Sequence, residues 1–103
     1  MNFIMIVLIS LGFAQLEALP EASPVPKNNL QTQDKIELGK WLFFDPRLSY
    51  DGSVSCNSCH NVMNCGSDNR SFSVGVYGHK GGRSAGTVFN AAFYSVQFWD
   101  GRA

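Results

Sequence analysis

Apolar side chains fall into one continuous run, one helical stripe and a few short clusters. The run, Phe3 to Phe13, is too short for the roughly 20 apolar residues that cross a bilayer. It has the length of a signal-peptide core, and Gly12-Phe13-Ala14 supplies the small residues a signal peptidase accepts. Residues 1–14 are therefore expected to be a signal peptide, although no Lys or Arg precedes the run; an uncleaved N-terminal anchor is the alternative. Residues 15–31, with Pro20, Pro24 and Pro26 and no apolar period, predict a linker.

The stripe begins after Thr32, a residue suited to cap a helix, with Asp34 placed to favour the helix dipole. Ile36, Gly39 and Phe43 recur at helical spacing, and Leu38 and Leu42 widen the face. Gly39 in a helix interior costs about 1 kcal/mol relative to alanine, so a close backbone contact is the expected reason for it. Asp45-Pro46 ends the helix, because a residue before proline resists helical geometry. Asp51-Gly52 predicts a turn and the segment around Cys56 a short helix. Cys65 to Gly86, rich in Gly, Ser and Asn, predicts a long loop wrapped over something. Thr87 to Phe93 restores an apolar helical turn.

A chain of 103 residues bounds the protein to one domain, and about ninety residues would remain after a leader. Cores of that size are marginal, so much of the interior is expected to come from something other than side chains. The eight phenylalanines suit packing around a flat apolar cofactor. Eight basic and eight acidic residues cancel, so nothing points to nucleic acid or a membrane surface as partner.

Ser55-Cys56-Asn57-Ser58-Cys59-His60 carries the chemistry. Cysteines separated by two residues and followed at once by histidine read as an attachment site for c-type haem. Cys56 and Cys59 lie about one helical turn apart, so both thiols can add to the vinyl groups of one porphyrin edge. His60 then offers an imidazole nitrogen to iron as the proximal ligand. A thioredoxin-like dithiol would need a βαβ setting that is absent here. A zinc site from Cys56, Cys59, Cys65 and His79 would have irregular spacing and leave His60 without a task. The apo-chain is expected to fold poorly. Covalent haem also fits export, since bacteria attach it outside the cytoplasm. Cys65 is then an odd thiol in an oxidising compartment.

The second axial position on iron decides what such a site does. Met63, the sole methionine beyond the leader, lies three residues after His60 on the same haem face. The His/Met pair of high-potential electron carriers is therefore missing. Two options remain open: His79 as a distal ligand, or a free position facing the 65–86 loop, where an oxidant such as peroxide reaches iron. A solvated loop histidine beside Lys80 is the bland reading of His79.

Leu38-Gly39-Lys40-Trp41-Leu42-Phe43-Phe44-Asp45-Pro46-Arg47-Leu48-Ser49, Ser55-Cys56 to His60-Asn61, Phe72-Ser73-Val74-Gly75, Thr87 to Phe93 and Gln97-Phe98-Trp99-Asp100-Gly101-Arg102-Ala103 follow one another in order. Together they resemble the N-terminal haem domain of bacterial di-haem cytochrome c peroxidases, a family that includes the enzyme maturing a tryptophylquinone cofactor. The resemblance covers residues 30 to 103. It implies reduction of hydrogen peroxide to water, with electrons from a small cytochrome or cupredoxin. These enter a C-terminal haem domain and pass to the peroxidatic haem held by Cys56, Cys59 and His60. Trp99 matches the tryptophan between the two haems; its bland reading is aromatic packing.

The departures are specific. Val76 stands where switching members of the family carry a distal histidine, and His79 falls three residues later. Ser84 replaces the asparagine of the inter-domain calcium site, and Ala85-Gly86 replaces Ala-Pro, which counts against calcium. The second C-x-x-C-H and the distal glutamate lie beyond Ala103 in the family, so the chain reads as a fragment or truncated product. The resulting expectation is an all-α, c-type cytochrome-like haem domain with long loops, spanning 32–103, incomplete, periplasmic and without stable membrane insertion. The alternative is a non-enzymatic mono-haem electron carrier or an inert truncated remnant.

Overall fold

The computed structural model describes residues 17–103, so the signal-peptide expectation for residues 1–14 lies outside the described residues. Among the described residues, no helix is long and apolar enough to cross a membrane. Residues 17–31 run without helix or strand.

Helix α1 spans Gln33–Phe44. Thr32 is its N-cap: the backbone is extended and the hydroxyl accepts a hydrogen bond from the Lys35 N–H at 3.3 Å. One of the donors left over at a helix start is thereby satisfied. The helix stops at Asp45, whose extended backbone leads into a short 3₁₀ turn, Pro46–Leu48. The Asp45 carboxylate accepts from the Arg47 N–H at 2.9 Å and from its guanidinium. The side-chain hydrogen bond from Arg47, followed by the backbone one, lowers the Asp45 pKa to about 2.

No residue of α1 is buried. Trp41 is 74% exposed, and Ile36, Leu38, Leu42 and Phe44 are exposed as well. The expectation for Gly39 is corrected here: a Cβ built on it meets nothing within 4 Å, so close backbone packing is not what keeps glycine there. Its neighbourhood is open, like that of Ile36, Leu38 and Leu42, while Phe43 is half-buried.

Helix α2, Cys56–Cys59, is a single turn. A capping box starts it, with the Ser58 hydroxyl accepting from the Ser55 N–H at 2.9 Å. A 3₁₀ turn at Val62–Asn64 follows, and the chain then reverses through Cys65 and Gly66, both with positive φ. Gly66 alone among the described residues is buried.

Residues 73–83 double back on themselves. The Gly75 N–H donates to the His79 carbonyl at 2.8 Å, the Gly81 N–H to the Ser73 carbonyl at 2.8 Å, and Val74 bridges antiparallel to Lys80. The tip is a 3₁₀ turn, Val76–Gly78, with Tyr77 at φ 53°. That strained tyrosine is held against the Asp51-Gly52 turn: its N–H donates to the Asp51 carboxylate at 3.3 Å, and its ring meets Tyr50 edge-on. The helical turn expected over Thr87–Phe93 shrinks to a 3₁₀ turn at Ala91–Phe93, because Asn90 adopts left-handed geometry at φ 60° and breaks the run. What results is one regular helix, α1, beside a shell of turns and backbone bridges.

Candidate haem site

A concavity of about 1080 Å³ lies among those turns rather than against α1. That is slightly above the roughly 300–1,000 Å³ typical of small-molecule sites. Its wall is mostly apolar and comes from α2, the 82–88 strip and the last thirteen residues.

Cys59 and His60 line it, at the end of α2. The His60 N–H donates to the Cys56 carbonyl at 3.0 Å, which fixes the imidazole's exit from the helix relative to both cysteines. His60 Nδ1 lies 2.9 Å from the Gly86 carbonyl oxygen. A carbonyl only accepts, so Nδ1 carries the proton and Nε2 keeps its lone pair. That is the tautomer a metal-ligating histidine needs, with the outer hydrogen bond setting its orientation. Cys56, at the start of the same turn, is exposed, and Cys59 is half-buried with Sγ 3.9 Å from the Val74 carbonyl. All three cysteines are free thiols.

Trp99 lines the cavity opposite in sequence, 71% exposed. Its Nε1–H donates to the Ser84 carbonyl at 3.0 Å. The strip Ser84-Ala85-Gly86 is thus engaged at every carbonyl, since Ala85 accepts from the Ser67 hydroxyl at 3.0 Å. Gly66 sits behind the strip. A Cβ there would meet Thr87 Oγ1 at 2.8 Å and the Val88 nitrogen at 2.9 Å, and its φ of +74° already favours glycine. Thr87 Oγ1 also donates to the Cys65 carbonyl at 2.7 Å, binding the two segments together.

Beside Trp99, the Asp100 carboxylate takes hydrogen bonds from Arg83 Nη1 at 2.9 Å and from Arg102 Nη1 at 2.9 and 3.0 Å. The Arg102 guanidinium also stacks 3.7 Å from the centre of the Phe98 ring. Partial desolvation pushes the Asp100 pKa up, but the hydrogen bonds from Arg83 and Arg102 outweigh it and the net shift is down.

His79 and Val76 are on the 73–83 hairpin, and neither belongs to the cavity wall. Met63 is 91% exposed and is likewise outside it. Among the described residues no three His, Cys, Asp or Glu side chains come together to hold a metal ion, so the zinc alternative of Cys56, Cys59, Cys65 and His79 is not assembled. Gly86, Ser84, Arg83 and Arg102 are the site residues that the sequence reading did not single out for the haem. Gly86 and Ser84 act through backbone carbonyls, which leave no signature in a sequence.

The profile of the di-haem cytochrome c peroxidase family matches residues 33–103. Cytochrome c551 peroxidase of Pseudomonas aeruginosa is 49% identical over 90 residues, 87% of this chain and 26% of that protein. Cytochrome c peroxidase Ccp of Escherichia coli is 42% identical over 96 residues, covering 88% and 21%. Methylamine utilization protein MauG of Methylorubrum extorquens is 48% identical over 84 residues, covering 82% and 24%. Among solved structures, a MauG-like protein associated with microbial copper homeostasis aligns with TM-score 0.72 and 33% identity, over 82% of this chain and 27% of that one. The chain spans about a quarter of the length of the relatives it matches.

Proposed function

The chain belongs to the di-haem cytochrome c peroxidase family, and we propose that residues 32–103 form the domain in which hydrogen peroxide is reduced to water. The observation that carries this reading is the His60–Gly86 hydrogen bond, at the edge of a cavity that the same histidine and Cys59 line. The residues present fit covalent haem. Two thiols lie one turn apart, an imidazole is held with Nε2 available, and a large apolar-walled space adjoins them in a chain with no buried hydrophobic side chain among its described residues.

Cys56 and Cys59 would form the thioether links and His60 the proximal bond to iron. Haem supplies, when bound, an iron centre at which peroxide takes up two electrons and two protons to give two molecules of water. Val88, Ala91 and Val96 would give the bound porphyrin an apolar surface to pack against. Trp99 faces the cavity with its indole hydrogen-bonded to Ser84, and by the family resemblance it would carry electrons arriving from a partner haem. No Asp or Glu lines the cavity, so proton delivery needs a group from outside this wall. The family resemblance puts that group, a glutamate, beyond Ala103.

Met63 stands in the open, away from the cavity, and His79 caps a hairpin outside its wall. Both placements favour a distal position that peroxide can reach over a His/Met electron carrier. Calcium is left out of this reading, because Ser84 lacks the family's amide oxygen and the carbonyls of residues 84–86 already accept hydrogen bonds. A periplasmic location follows from covalent haem chemistry, with a small cytochrome or cupredoxin as electron donor. A second reading, MauG-type oxidation of a protein substrate, is supported by the 48% identity to MauG and shares the same site.

The test is expression in a bacterial periplasm with a haem-attachment system. One haem per chain should survive denaturing electrophoresis. Peroxide turnover with a reduced small cytochrome should stay near that of a free haem peptide, since acid/base and electrostatic assistance is worth about 10²-fold or more per missing group. A haem-free product would defeat the reading.

A further inference from the structure

Arg83 and Arg102 are the only Arg, Lys, Asp or Glu side chains in the cavity wall. An apolar wall with two guanidiniums and no Asp or Glu side chain suits an apolar body that carries negative charge at one edge. Each guanidinium spends one nitrogen on Asp100, which stands outside the wall. A guanidinium has five N–H donors, so most of each fork is left over. Asp100 holds the two forks on one anchor, and the cluster keeps a net positive charge. Arg102 is further fixed by the Phe98 ring.

The geometry points to Arg83 and Arg102 as the binding site for the two propionate carboxylates of the haem. This rests on the haem reading above. Thioether bonds at α2 would fix the vinyl half of the porphyrin, which directs the propionate half away from α2. Arg83 and Arg102 stand on the two wall segments that carry no cysteine. Guanidinium–carboxylate pairing is charge-assisted and often bidentate. Asp100 is then a positioning residue that keeps both forks in place.

The holo-chain from periplasmic expression is compared with R83Q, R102Q, the double variant, and R47Q as a surface control. Resonance Raman reads the propionate-bending bands, and a redox titration reads the midpoint potential. Each single variant should shift bending bands to lower frequency, the double should shift them furthest, and R47Q should not move them. The potential should fall in the same order, because removing a cation near iron favours the ferric state. If the glutamine variants yield no holo-protein, R83K and R102K carry the test. A point charge without the fork should keep the potential near wild type while the bands still move. Bands and potential unchanged in the double variant, or bands unchanged in both lysine variants, would overturn the assignment while leaving the haem reading intact. So would a wild-type response to added inorganic phosphate that disappears in the double variant, since that marks a site for free anions. A wild type without covalent haem overturns both readings.

Discussion

Helix α1 and the turns around the cavity divide the work of this chain in opposite ways. The helix has regular geometry, a hydrogen-bonded cap and a clean stop, yet no residue of it is buried. The turns have almost no regular structure and five non-glycine residues at positive φ across 65–98, yet they assemble the whole candidate site. Local sequence is enough to make a helix, whereas a site of this kind is made by backbone groups meeting across long separations. The His60–Gly86, Thr87–Cys65 and Trp99–Ser84 hydrogen bonds join residues 26, 22 and 15 positions apart. The apolar stripe on α1 is a surface awaiting cover; the cavity wall is a surface already arranged.

The largest effect that would test this contrast is loss of the cofactor. Cys56→Ala with Cys59→Ala should abolish haem that resists denaturation, and the far-UV circular dichroism of the turn region should collapse while α1 keeps residual helicity. Haem stain persisting in the double variant would break the contrast at its root. Next come two glycines that should respond with opposite sign. Gly66→Ala places a Cβ under 3 Å from Thr87 and Val88 at positive φ, and should destabilise the holo-chain by about 1–3 kcal/mol. Gly39→Ala meets nothing and should stabilise it by about 0.5–1 kcal/mol. Denaturant titration reads both, and equal signs would mean the two regions are not so different.

Thr32→Ala removes the α1 cap and should cost about 1 kcal/mol, visible as fraying at the helix start without any change in the haem spectrum. The smallest effect is one of pH. The Asp100 pKa is lowered in the fold, so its contribution is fully present above the ordinary carboxylate value near 3.8 and is lost as pH falls through the lowered one. Between pH 5 and 8 the Trp99 environment, read by tryptophan fluorescence of a Trp41→Phe variant, should therefore stay constant. It should change only in acid below that ordinary value. A transition near neutrality would indicate that another group governs the segment.

Much of α1 was legible in sequence because its signals are local: Thr32 before it, the stripe within it, Asp45-Pro46 after it. The C-x-x-C-H turn was legible for the same reason, as three residues within five adjacent positions carry its chemistry. Gly39 misled because a mid-helix glycine normally implies a neighbour, and here there is none. The end of Thr87–Phe93 misled because its apolar spacing suits a helix, while one left-handed asparagine interrupts it. Ser84 and Gly86 drew notice only against a calcium site; their part in holding His60 and Trp99 stayed invisible, since a carbonyl oxygen belongs to every residue alike. Arg83 and Arg102 were unremarkable in a chain of balanced charge, and only folding brings them to one carboxylate.

Ser84 and Gly86 deserve a last consequence. One carbonyl holds the indole of Trp99, the other the imidazole of His60, and only Ala85 separates them. The tripeptide therefore works as a yoke across which two aromatic rings share one mount. A displacement that tugs on the tryptophan would also stretch or shorten the Nδ1–H···O contact, changing how strongly the histidine would push electron density toward a haem iron bound as proposed. If the haem is bound as proposed, a partner domain docking against Trp99 would retune the iron through geometry alone, with no side chain of the partner near the haem.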